Sequence, residues 1–132
     1  MNVRLLEWEL NTKGEEMTNV VNLRRGAYDV YIGRRGHSQT GEFGNPVAVG
    51  RACPECGNIH RTGGSTLRCF ARYMYKRMKH DPSWAQKVEN LRGKTLGCFC
   101  KPAPCHGDVY AVYLDSDGDW AAVKKFLELE EK

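Results

Sequence analysis

The sequence predicts one small α/β domain built on a short, largely parallel sheet. Three observations predict it. At 132 residues the chain can bury one hydrophobic core but not two independent ones. Short runs rich in β-branched and aromatic residues alternate with stretches whose apolar residues recur every three or four positions, in the order strand, strand, helix, helix, strand, helix, helix. The third strand returns only after two helices, and a helical crossover of that kind delivers a parallel neighbour.

The elements follow in order. Residues 1–17 (MNVRLLEWELNTKGEEM) have mixed polarity and read as an N-terminal arm. Val20, Val21 and Leu23, then residues 28–33 (YDVYIG), read as two neighbouring strands separated by a turn at Arg25-Gly26. Residues 34–50 (RRGHSQTGEFGNPVAVG) are rich in glycine and read as a loop, placed after a strand where sites commonly form. Ser65 is the expected N-cap of a helix reaching Lys79, with Leu67, Phe70, Ala71, Met74 and Met78 on its core face. A second helix starts at Asp81-Pro82 and ends before Gly93. A strand over residues 95–100 follows, then helices over residues 105–114 and 119–130. The simplest architecture is a Rossmann-like domain of two or three layers spanning residues 18–115, with a zinc knuckle inserted at residues 51–64 and residues 116–132 as a C-terminal helix packed on it. Ligands in open parallel sheets bind beyond the carboxyl ends of the strands, here near Arg34 and Lys101.

Charge and cysteine usage narrow the setting. Twenty Lys and Arg against 16 Asp and Glu give a net charge of +4, which suits an anionic partner without requiring one. No apolar run approaches the roughly 20 residues that cross a bilayer, and the N-terminal residues lack the apolar core of a secretory signal. The six cysteines fall in clusters suited to metal or thiol chemistry in a reducing compartment. A cytosolic protein is expected, without a membrane partner.

The first cluster is CPECGNIH. Cys53 and Cys56 supply two thiolates across a tight turn opened by Gly57, and His60 follows as a third ligand. Cys69 lies almost opposite the Leu67/Phe70/Met74/Met78 stripe at 100° per residue, on the side of Arg72 and Lys76, where a core role would not put it. Together Cys53, Cys56, His60 and Cys69 form a candidate structural zinc site, closed to catalytic water because all four ligands come from the protein.

The second cluster is CFCKPAPCHGD, residues 98–108. It reads either as a second metal site or as an anion site at a helix N-terminus, where free N–H groups and Lys101 favour phosphate. On the latter reading Cys105 has a lowered pKa and acts as nucleophile, with His106 and Asp108 moving protons. The alternative is that Cys98 and Cys105 are small core residues and His106 caps a helix.

The segments NVVNLR, DVYIGR, FGNP, GSTLRCFARYM and LRGKTLGCFCKPAPCHGDVYAVYL together resemble the family called domain of unknown function 4326, found in phages and bacteria. The resemblance covers residues 18–115 and is most specific in FGNP and CFCKPAPCHGD. It implies an α/β fold, a phage or bacterial source with the bacterial cytosol as location, and one shared site formed by FGNP and CHGD. No reaction is implied.

Two functions follow. The first is an enzyme, a hydrolase or transferase acting on a nucleotide or other phosphate-bearing molecule, with Arg34, Phe43, Gly44, Asn45 and Lys101 binding the ligand and Cys105, His106 and Asp108 as catalytic candidates. The second is a non-catalytic zinc-stabilised protein that binds a nucleotide or nucleic acid through Arg51, Arg61, Arg68, Arg72, Lys76 and Arg77.

Overall fold

The computed structural model describes residues 17–34, 41–98, 101 and 105–130. The expected N-terminal arm up to residue 16, Cys100 and residues 102–104 of the KPAP turn lie outside them. The elements are β1 (Asn19–Asn22), β2 (Val30–Tyr31), α1 (Leu67–His80), α2 (Pro82–Glu89), β3 (Thr95–Cys98), α3 (His106–Asp115) and α4 (Trp120–Glu130).

The strands form a parallel sheet in the order β1-β3-β2. The crossover pairing of the third strand with the second therefore holds: Val30 faces Leu96 and Tyr31 faces Gly97. The expected pairing of the first two strands does not, because β3 lies between them. The reason is burial. Leu96, Gly97 and Cys98 are buried while β1 and β2 are only half-buried, so the most buried segment takes the centre and is covered on both edges. The ladder runs past the strand ends, with Leu23 N donating to the Cys98 carbonyl and Ile32 N to that of Gly97.

Helix boundaries follow local chemistry. Residues 64–66 form a 3-10 turn that leads into α1, so Ser65 is not its N-cap; its hydroxyl donates back to the Thr62 carbonyl. The expected stripe does face inward, with Leu67, Phe70, Ala71 and Met74 buried and Met78 packed beside them. At α2 the Asp81 carboxylate accepts from Trp84 N at 3.1 Å, with Pro82 at the first turn. After α3 the chain reverses through Asp117 and Gly118, both at positive φ, and the Asp119 carboxylate accepts from Ala121 N at the start of α4. Val123 and Leu127 of α4 join the main core.

Helix α3 sits closest to the sheet, and Gly107 permits it. A Cβ there would lie 2.7 Å from both Ile32 Cδ1 and Val20 Cγ1. An exposed helical Gly→Ala exchange gains about 1 kcal/mol from propensity. Here overpacking reverses the sign: Gly107→Ala is expected to lose about 1–3 kcal/mol, read as a lower urea midpoint with an unchanged slope.

Candidate metal centre and adjoining cleft

The segment between Gly50 and His60 folds as a small hairpin. Ala52 and Ile59 form an antiparallel bridge, Cys53 N donates to the Asn58 carbonyl at 2.8 Å, and Gly57 takes φ +80° where the turn closes. This turn presents Cys53, Cys56 and His60 toward α1, where Cys69 completes the group. The ligand atoms of all four lie within 4.8 Å of one another, so the cluster can hold a metal ion. Thiolates on one tetrahedral zinc would stand about 3.8 Å apart, so loading needs a contraction of about 1 Å or less. Cys53 and Cys69 are buried, together with Val47.

The thiols show what the group lacks. Burial acts to raise the Cys53 pKa, but N–H groups of Cys56 and Glu55, with His60 and Cys69, outweigh it and bring the pKa down to about 6. Cys69 goes the other way, up to about 12, through burial and then its hydrogen bonds with Cys53 and Cys56 and their charge. One thiolate is accommodated and the next is refused, so a cation is the natural counter-charge.

Beside this hairpin runs the FGNP loop, packed tightly against the end of β2. A Cβ on Gly44 would stand 2.9 Å from the Gly33 carbonyl oxygen and 3.1 Å from Arg34 Cα. Phe43 is buried against Trp84 and edge-on to Tyr110, so it anchors the loop from below and does not face a ligand. Trp84 Nε1 donates to the Glu42 carbonyl at 2.9 Å and the Tyr110 hydroxyl to that of Phe43 at 3.0 Å. Asn45 spans two segments: its Oδ1 accepts from Val47 N at 2.9 Å and its Nδ2 donates to Thr66 Oγ1 at 3.0 Å.

Above the loop lies a cleft of about 310 Å³, whose walls include Arg34, Gly44, Asn45, Arg51 and Tyr73. Three of the expected ligand residues, Arg34, Gly44 and Asn45, thus meet at one place. Tyr73 joins them unforeseen, and so does Arg51, which the sequence placed only on the basic face of the alternative reading. Tyr73 had a legible signal, standing one helical turn beyond Cys69 on the same side of α1; Arg51 sits on the hairpin, whose path only the fold reveals.

The CHGD residues occupy different ground. Lys101 forms an ion pair with Asp108, and the other Asp108 oxygen accepts from Cys105 N at 3.1 Å, so a carboxylate of the chain itself caps the α3 start where an external anion was expected. Cys105 is buried with its Sγ 3.2 Å from that of Cys98. This contact and burial push its thiol pKa up, contrary to the lowered value expected for a nucleophile. His106 is buried, edge-on to Phe70, and its Nε2–H donates to the Ile32 carbonyl at 2.6 Å. Burial lowers its pKa below the ordinary 6.5, the Ile32 carbonyl partly opposing and the Arg34 charge adding to the effect.

Residues 16–116 match the family described as Domain of unknown function (DUF4326). The chain belongs to this family. The DUF4326 match contains the FGNP loop, the CHGD turn and all four metal-ligand candidates, and α4 lies beyond it. The chain is also similar to a protein of Enterobacteria phage T4, described as an uncharacterized 12.4 kDa protein in the nrdA-td intergenic region. The two are 33% identical over 96 residues, covering 72% of this chain and 75% of the phage protein. No solved structure matches. Among the described residues of this DUF4326 chain, no helix is long and apolar enough to cross a membrane.

His106 yields a pH prediction. Its folded pKa is depressed, so its contribution to stability is present above about 6.5 and is lost as pH falls toward the folded value. Urea midpoints at about pH 7.5 and 5.5 should fall further apart in the wild type than in His106→Gln; equal falls would show that His106 is not held neutral.

Proposed function

We propose that this chain binds a phosphate-bearing small molecule, of nucleotide class, in the cleft between the FGNP loop and the hairpin, and that a structural zinc ion occupies Cys53, Cys56, His60 and Cys69. The observation that carries the reading is that Arg34 and Arg51, from separate segments, line one cleft with Asn45 and the glycine-rich loop. Guanidinium groups suit the geometry and charge of phosphate oxygens, and the cleft volume lies at the lower end of small-molecule sites. Zinc fits a Cys3His donor set better than a hard cation does.

The nucleic-acid alternative draws less support. Of its basic residues, Lys76 is paired with Glu55 at 2.6 Å and Arg77 lies over the Trp84 ring beside Asp81. A catalytic role through Cys105 also draws little, because a thiol kept protonated is a poor nucleophile. The reading is therefore of ligand binding first, with hydrolysis or transfer requiring another nucleophile such as water. A thiolate metal site suits the reducing cytosol of a bacterial host.

Metal analysis with calorimetry tests both halves. One zinc per chain is expected in the wild type and in Cys105→Ser, and none in Cys56→Ser; zinc lost with Cys105 would move the metal to the CHGD turn. Adenosine monophosphate should bind the wild type and bind Arg34→Ala about tenfold or more weakly, the size of a lost charge-assisted hydrogen bond. Equal affinities would sink the cleft assignment.

A further inference from the structure

We infer that the metal-bearing hairpin is itself a wall of the ligand cleft, so that phosphate binding requires the metal. This rests on the cleft reading above and adds to it a means of control.

The argument starts from Val47. It is fully buried, yet it lies outside the main core, in a small cluster whose other members are Cys53 and Cys69. Both of its backbone polar groups are held by cleft residues. Asn45 Oδ1 accepts from its N–H, and Arg34 Nη2 donates to its carbonyl at 3.3 Å. One valine thus connects two metal-ligand cysteines on one side with two phosphate-binding candidates on the other.

The second link is covalent. Arg51 stands two residues before Cys53, at the base of the hairpin, where Gly50 N donates to the His60 carbonyl at 3.0 Å. Arg51 is exposed and lines the cleft, and among the described residues it has no hydrogen bond or ion pair of its own. Its position follows that of the hairpin.

The hairpin is lightly attached without its metal. Apart from the contacts of Cys53 and Cys56 with Cys69, which are the candidate ligands themselves, the hairpin meets α1 through the Lys76–Glu55 pair, with the Lys76 side chain 61% exposed, and an exposed pair of that sort contributes little. Metal loss would release Arg51 directly and uncover Val47, loosening Arg34 and Asn45.

The experiment uses the full chain, zinc-loaded and chelator-stripped, with inorganic phosphate and adenosine monophosphate as calorimetric probes and far-ultraviolet circular dichroism recording the fold. The stripped protein should keep its helical signal and bind about tenfold or more weakly, with affinity restored by one equivalent of zinc. Arg51→Ala and Val47→Ala should each retain one zinc per chain, yet bind the probes several-fold more weakly, while Arg61→Ala, just past the hairpin and not among the cleft residues, should match the wild type. If stripping unfolds the chain, the zinc-loaded Arg51 and Val47 variants decide. Full affinity in the folded, stripped protein, or in both of those variants, overturns the inference while leaving the cleft assignment intact. Failure of the loaded wild type to bind either probe removes the cleft reading and this inference with it.

Discussion

A glycine-rich loop can be fixed only by what neighbouring elements donate to it, and that constraint governs this molecule. The segment from Ile32 to Val47 has few apolar side chains of its own and, among its described residues beyond β2, no regular ladder to satisfy its carbonyls. A buried carbonyl left unpaired is costly. Here each of four is met by a side chain from elsewhere: Ile32 by His106, Glu42 by Trp84, Phe43 by Tyr110 and Val47 by Arg34. At about 1 kcal/mol net for each such bond, the set is comparable with a sizeable part of a small domain's stability. The helices α2 and α3 thus hold the described part of this loop as much as they wall the core, and the cleft lies above it.

Much of this was legible before any coordinates. The 3.6-residue stripe of α1, the Asp81-Pro82 start of α2 and the parallel pairing of the third strand with the second all follow from periodicity and punctuation. The cluster that can hold a metal was legible too, because spacing brings Cys53, Cys56 and His60 together and helix phase sets Cys69 off from the core stripe. The strand order was not. Two successive strands read as neighbours, and nothing local reveals that Gly97 opens a face against which Tyr28 packs, a Cβ there falling 2.6 Å from that ring, or that β3 enters between them. Phe43 was misread for the same reason, since its packing against Trp84 and Tyr110 depends on partners distant in sequence, while Lys101 is taken up by an ion pair with Asp108.

The two cysteine groups show how the same residue type takes different roles. Cys53 is set among N–H donors and beside an imidazole, so it ionises readily, and the pressure this puts on Cys69 calls for a cation. Cys98 and Cys105 are buried against each other with the Asp108 carboxylate close by, so charge on Cys105 is suppressed there. Proximity of sulfur atoms is common to both; the surrounding donors decide which cluster suits a metal ion.

That contrast bears on where an anion can sit. A helix N-terminus attracts negative charge, but at α3 the Asp108 carboxylate already fills that role, and Lys101 neutralises the carboxylate in turn. An incoming phosphate would have to displace an intramolecular pair held by the adjacent backbone, and would gain only what Asp108 gives up. At the cleft no such exchange is needed: among the described residues Arg51 has no carboxylate beside it, and Arg34 spends one of its donors on a carbonyl, which leaves its charge uncompensated. Positive charge that the fold does not itself neutralise is the better guide to a ligand, and it points away from the most distinctive motif of the sequence and toward the loop which that motif's histidine holds in place.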